Sequence, residues 1–491
     1  MRCFPGLGDQ IMINENENPV EYLNAEFIPS AVPFTSWQSR EGCSRPLGVA
    51  PATAQFAMQS SVPRRRFGTR FCAAQCAFGW MMVSGVISAP ASAVKLEPAE
   101  GPGWRRHTID DSTLGPDGVR LGDINGDGLP DIATPWEQGG KVVVYLNPGK
   151  ARVRERWSQV VVGTVGDPED AVFVDLDGDG RLDVVSACEG TTRTVHVHWA
   201  PNDPKRLQDS GAWQTMPITA SVGRVRWMFS VPLQIDGRAG LDLVAGSRGE
   251  GAAIGWFEAP TNPRNAADWK WHPLYQAGWV MTLRTRDLDG DGDMDVVATD
   301  RQGSGRGALW LENPGKAGNL ARPWREHRIG AKDEYEAMHH TIADLDRDGL
   351  EDVIVAVKGG ALCYHRRVRA NPVAWETHLI QMPANTGSGK AVEVADVDGN
   401  GTPDLVVTCE HAIDGKTGVF WLAYDKHPTE TRWRARSING AEGFIFDLLQ
   451  LVDLDGDGDL DVITQEEKGP YLAAGYVGKE LGVVWYENPA R

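Results

Sequence analysis

The sequence predicts an all-β fold, a seven-bladed β-propeller of four-stranded blades closed by the N-terminal strand, and three observations lead there. A nine-residue block, Asp123-Ile124-Asn125-Gly126-Asp127-Gly128-Leu129-Pro130-Asp131, recurs from Asp175, Asp287, Asp344, Asp396 and Asp453, with a degenerate copy from Gln234 to Asp242. The seven first positions are 52 to 59 residues apart. A tryptophan stands 18 to 21 residues before each one: Trp104, Trp157, Trp213, Trp269, Trp324, Trp375 and Trp433. The two ends are offset. The first unit begins with an extra Trp-led strand (Trp104 to Ile109), and the last stops at its aromatic motif Val483-Val484-Trp485-Tyr486 with no Trp strand after it. A strand left over at one end then completes the blade left short at the other and removes an exposed edge.

Each unit reads as four short strands. One starts at the Trp motif, one runs into the Asp block (Val172-Phe173-Val174), one leaves it (Asp183-Val184-Val185), and one forms the aromatic closing motif, as in Trp256 to Pro260 and Trp310 to Pro314. The first two residues after each ninth-position aspartate are aliphatic or small in every copy, as for a strand buried on both faces between stacked sheets. The 56 glycines and 18 tryptophans fit turns and strands better than helices.

The 491 residues carry 49 Lys+Arg against 67 Asp+Glu, a formal charge of −18. Nucleic acid is excluded as a partner, because phosphate contact needs clustered basic side chains. Residues 1–57 have no helical or strand period and read as a non-native or disordered extension. Met58 opens a basic stretch (Arg64-Arg65-Arg66, Arg70), the apolar run Phe71 to Ala89 and the triplet Ala91-Ser92-Ala93, a secretory signal over 58–93. The run is nearly long enough to span a bilayer, but Gln75 and the Ala-x-Ala site favour cleavage. Arg64-Arg65-Arg66-Phe67 loosely resembles a twin-arginine signal. The expected product, residues 94–491, is secreted, periplasmic or on the cell surface, with no stable membrane span. Its Cys188, Cys363 and Cys409 lie in apolar strands and read as buried free thiols.

The repeats resemble those of bacterial FG-GAP/VCBS repeat proteins, relatives of the integrin α-chain propeller, over residues 104–489. No Phe-Gly or Gly-Ala-Pro element occurs within them, so integrin-like partner binding does not carry over.

A loop D-x-[DN]-x-D-G-x-x-D crowds carboxylates that repel one another without a cation. Hard oxygen ligands at positions 1, 3, 5 and 9, with Gly at position 6 for the turn, match calcium. The candidate ligands are Asp123, Asn125, Asp127 and Asp131; Asp175, Asp177, Asp179 and Asp183; Asp287, Asp289, Asp291 and Asp295; Asp344, Asp346, Asp348 and Asp352; Asp396, Asp398, Asn400 and Asp404; and Asp453, Asp455, Asp457 and Asp461. In the third copy Gln234 and Arg238 replace acidic positions, so about six structural calcium ions are expected, with Arg238 neutralising Asp236 and Asp242.

Six residues past each ninth-position aspartate stand Glu137, Glu189, Arg248, Arg301, Lys358, Glu410 and Glu467, all charged, against 24% charged residues overall. Three and five residues before each loop, alternate inner-strand residues point at the channel: Arg120, Arg284, Thr341, Glu393 and Gln450, with Asp170 and His339. Both sets are expected at one channel mouth opposite the Asp loops, with Trp227, Trp279, His340 and His411. Histidines after the Trp motif (His107, His272, His327, His378) recur with the repeat and read as structural. His196 and His198 share a strand face without a third metal ligand.

The leading functional reading is a binding module for a polysaccharide or small polar ligand at this mouth. The rival is an enzyme. Propellers of similar repeat style in certain polysaccharide lyases and a fungal sugar dehydratase imply elimination chemistry, with His339 or His340 as base, Arg120 or Arg284 stabilising the enolate and Glu410 with His411 as metal ligands. A protein-docking platform is the third reading.

Overall fold

The computed structural model describes residues 98–489 apart from 239, 317, 332–334, 431 and 470–478; the extension and signal segment assigned to 1–93 lie outside the described residues. Twenty-eight strands among the described residues form seven four-stranded antiparallel sheets arranged as blades in a ring. Blades 1 to 7 begin at the inner strands Arg120–Gly122, Pro168–Val174, Arg226–Leu233, Val280–Arg286, Ala337–Ala343, Ser388–Ala395 and Ile445–Val452. The Trp-led strand of each repeat is the outermost strand of the preceding blade. Blade 7 is completed from the N-terminus: Arg105–Asp110 pairs antiparallel with Gly482–Glu487, Arg105 opposite Glu487 and His107 opposite Trp485.

The strand leaving each Asp loop is buried along almost its whole length, as its aliphatic start requires. Seven hydrophobic clusters fill the seven junctions between blades, including the closing one, where Ile463, Val483 and Trp485 of blade 7 meet Ile132, Val143 and Trp157 of blade 1. The stack is thus one continuous core. Asp110 fastens the clasp to blade 1 by accepting the Tyr145 hydroxyl at 2.9 Å. Cys188, Cys363 and Cys409 are buried free thiols.

Every inner strand also carries an irregularity that alternation does not foresee. In blade 2 Pro168 faces Cys188 and Asp170 faces Ala187, leaving Glu169 as an extra residue. The same one-residue bulge leaves out Met228, Met281 and Lys390, and falls within the 337–340 and 446–449 steps of blades 5 and 7. Blade 1 repeats it between the Pro116–Trp136 bridge and the Arg120–Ala133 pair. A bulge turns a side chain that would otherwise face the neighbouring blade.

Candidate functional site

The Asp loops are built by their own first aspartate. Asp123 Oδ1 accepts the Gly126 and Asp127 amides at 2.8 and 3.0 Å, and its Oδ2 accepts Gly128 at 2.9 Å. Asp287 repeats all three bonds. Gly126 and Gly128 have φ of +74° and +82°, and a Cβ on either would meet nothing within 4 Å, so the left-handed backbone, not crowding, demands glycine there.

The ninth aspartate has a second task. Asp131 accepts the Ile124 amide at 3.0 Å and the Asn147 amide at 2.8 Å, tying the loop to the end of the next strand. Asp183, Asp295, Asp352 and Asp461 do the same. So does Asp242 in the degenerate loop, with Ile235 and Ala259 both at 2.9 Å, which explains why it survives where positions 1 and 5 have lost their acids. Burial raises Asp131 and Asp242 to about 6 and Asp183, Asp295, Asp352, Asp404 and Asp461 to about 7, against the lowering effect of these amides. In the degenerate loop Arg238 lies 3.4 Å from Asp236, as expected, but its other partner is Glu258 at 2.9 Å rather than Asp242. The Gln234 amide donates to the Arg238 carbonyl across the loop.

The other loops fit a hard divalent cation. Carboxylate oxygens at positions 1, 3 and 5 lie within 4.8 Å of one another in blades 2, 4 and 5, as do those at positions 1, 3 and 9 in blade 6. Asp396 Oδ1 and Asp404 Oδ1 are buried without a hydrogen-bond partner. Burial, then like charge from the next carboxylate, raises Asp289 and Asp455. In blades 2, 5 and 7 an arginine (Arg264, Arg366, Arg154) reaches the position-3 aspartate, so these loops carry a built-in competitor for the ion.

At the other end the charged ring and the bulges meet. Asp117, Glu137 and Glu169 bring their carboxylates within 4.8 Å of one another. Burial first, then neighbouring carboxylates, raises Asp117, Glu169 and Glu467 well above the ordinary range. Glu189 and Arg248 form a buried two-pronged ion pair. Trp279 carries the guanidinium of Arg248 at 4.4 Å and that of Arg301 at 4.5 Å. Arg301 also meets Glu336 at 3.4 Å. Glu410 lies 3.9 Å from Lys390 and 3.5 Å from His411; burial pushes it up, but these two and Arg301 outweigh burial and hold it at about 2. Lys358, His411, Arg306, Tyr335, Glu336 and Ser388 line a rim depression of about 730 Å³.

Deeper in, a channel cavity of about 410 Å³ is lined from all seven inner strands, with Arg120, Arg284, Glu393, Gln450, Thr282 and His339 as its principal polar groups and Phe229, Val172 and Leu448 among the apolar ones. Arg284 pairs with Glu393, whose other oxygen accepts Thr341 Oγ1 at 2.6 Å. Arg120 pairs with Asp170 at 3.0 Å and lies over Phe229.

Trp227 is placed elsewhere, and His340 lines the cavity without a hydrogen bond from its ring. Trp227 is fully buried between blades, its Nε1 donating to the Ser221 carbonyl, because the residue before the bulge faces the neighbouring blade. His340 is buried and meets Arg284 through its carbonyl. Three repeat histidines are structural: His107 and His327 stack on tryptophans, His272 lies tilted against Trp256, and they bond Glu487, Glu312 and Glu258. His198 is enclosed by Ser186 and Thr215. Four residues escaped the sequence reading: Asp117, Glu169, Lys390 and Asp447. All stand six positions before their loops, a column whose other members are Met228, Met281 and Met338, and aligning that column would have found them.

Fold and loops together define a seven-bladed propeller with acidic turn loops at one end and a polar channel, the class of a binding or docking module. The FG-GAP-like repeat family matches residues 123–186, 287–355 and 344–407, each match starting on the first aspartate of a loop, and these matches with the seven-bladed fold support an FG-GAP-like repeat propeller, similar to the integrin-α type. No curated protein matches it. Among solved structures, that of BBS1N in complex with ARL6DN, soaked with lead, is similar at 10% identity and a TM-score of 0.47, covering 81% of this chain and 98% of its own. The mercury-soaked form of that complex gives 9%, 0.46, 81% and 98%.

Proposed function

We propose that this propeller is an exported binding module that holds a saccharide unit of a surface polymer in its channel, with calcium in its acidic loops as a structural staple. The cavity of about 410 Å³ carries the reading: opposed charges (Arg120, Arg284, Glu393), an amide (Gln450) and a hydroxyl (Thr282) converge beside apolar wall residues such as Val172 and Leu448, as a compact ligand with many hydroxyl groups requires. In the loops calcium would be held by the carboxylates at positions 1, 3, 5 and 9 and would supply charge compensation only. The arginine-rich and apolar segment over 58–93 supports export.

A glycan array followed by calorimetry tests the reading. Arg284→Gln and Glu393→Gln are expected to weaken the saccharide found by the array at least tenfold while the domain still melts cooperatively. An array without a binding saccharide, or affinity unchanged in both variants, would overturn it.

A further inference from the structure

The channel contains an arrangement that ligand binding alone does not need. Thr282, His339 and Asp447, on the inner strands of blades 4, 5 and 7, are all buried. Thr282 Oγ1 lies 2.8 Å from His339 Nδ1, and His339 Nε2 lies 2.9 Å from Asp447 Oδ1. Asp447 Oδ2 is held by Lys390 Nζ at 3.0 Å.

The proton positions follow from the partners. Burial raises the Asp447 carboxyl, but Lys390 and His339 outweigh burial and keep it ionised, so it can only accept. Its Oδ1 meets His339 Nε2 as a close ionic contact not aligned as a hydrogen bond, and this negative charge beside Nε2 favours the hydrogen there. Burial lowers the pKa of His339, Lys390 and Arg120 lower it further, and Asp447 opposes them. A neutral imidazole with hydrogen on Nε2 has its lone pair on Nδ1, so the Thr282 hydroxyl is the donor. The result is a hydroxyl, an imidazole base and an orienting carboxylate in series, the logic of an activated oxygen nucleophile. Thr282 and His339 both line the cavity. Arg120 lines it too, with one buried terminal nitrogen that has no hydrogen-bond partner, a cation available to a developing negative charge.

We propose that Thr282 is a nucleophile and that the channel performs acyl transfer on a small ester able to enter the cavity. The hydroxyl proton passes to His339 Nδ1 as Thr282 Oγ1 bonds to the carbonyl carbon, and Arg120 faces the resulting oxyanion. The ester C–O bond then breaks and the leaving alcohol takes the proton from His339. Water repeats the sequence on the acyl-threonine, so ester plus water becomes acid plus alcohol. Asp447 is a positioning residue. The inference does not depend on the saccharide reading, since its probe is not a sugar.

The test is labelling of the full chain with diisopropyl fluorophosphate at pH 8, read by intact mass and peptide mapping. The oxygen–phosphorus bond forms at Thr282, the phosphorus–fluorine bond breaks, and fluoride and the proton leave. One phosphoryl group on Thr282 is expected, formed about 10²-fold or more slowly in His339→Gln and Asp447→Asn, while Thr282→Ser labels at least as fast as the parent. Since Thr282→Ser preserves the network, its labelling is decisive even where another variant fails to fold. A Thr282 left unlabelled in both parent and Thr282→Ser, or labelled equally fast in a folded His339→Gln, would overturn the proposal.

Discussion

The two ends of the propeller obey opposite rules. At the loop end, blades 1, 2, 4, 5 and 7 repeat one device nearly residue for residue, a first aspartate capping its own loop and a ninth aspartate bridging to the next strand, and blade 6 keeps the first half of it. At the mouth and in the channel the blades diverge. The bulge column alone reads Asp117, Glu169, Met228, Met281, Met338, Lys390 and Asp447. Whatever every blade needs in order to be a blade is repeated; whatever the ring does once, at its centre, has to be divided among unequal blades. Repetition marks scaffold, and broken repetition marks the region where a ligand or a reaction is distinguished.

Chelation should give the largest effect and bear on the loop end alone. Each loop filled at 100 times its dissociation constant contributes about 2.7 kcal/mol, so EDTA is expected to lower the melting temperature steeply, with native mass spectrometry counting the ions lost. The comparison sharpens at blade 3: Asp242→Asn should cost about 1–3 kcal/mol through its two amide bonds, equally with and without chelator. A melting temperature indifferent to EDTA would remove the metal from the scaffold.

At the mouth the expected effects differ between neighbours. Glu189→Gln leaves the buried Arg248 short of its carboxylate and should cost about 3–5 kcal/mol by denaturant melts. Glu137→Gln removes one of three crowded carboxylates and should be neutral or stabilising. Equal losses in the two would mean that the mouth is as much scaffold as the loops.

The smallest effect is a pH slope. Asp117, Glu169 and Glu467 hold their protons to higher pH in the folded chain than in the unfolded one, where carboxylates titrate near 4. Their stabilisation is complete below that value and fades as pH rises through the folded pKa. Glu410, held at about 2, is lost only at lower pH and leaves this window untouched. The melting temperature should therefore rise from pH 8 to 5, and the double variant Asp117→Asn, Glu169→Gln should rise less. Parallel slopes in the two proteins would locate the titration elsewhere.

The fold was legible because it is written seven times; one Trp and one Asp block per unit placed the blades, and the surplus strand at Trp104 announced the clasp. The loops were legible in kind but not in division of labour, since the backbone partners of Asp131 and Asp242 appear only once the following strand folds back on them. The channel was half legible. Counting alternate residues found Arg120, Arg284 and Glu393, yet it assumes an unbroken strand, and the bulge defeats that assumption at Asp117, Glu169, Lys390 and Asp447. The partnership of His339 with Asp447 crosses from blade 5 to blade 7 over more than a hundred residues of chain, and no local pattern encodes it.

The clasp has a consequence for how such a ring comes into being. Arg105–Asp110 leaves the ribosome before any other blade strand, and its partner Gly482–Glu487 leaves after all the others. Blades 1 to 6 can stack as they emerge, each burying the flank of its predecessor, but the seventh stays one strand short until translation has passed residue 487. Through that interval the earliest strand must be kept from pairing with any other open edge. Closure thus waits on chain completion: a polypeptide that stops early lacks the partner of its own first strand and leaves that strand's edge open to other pairings.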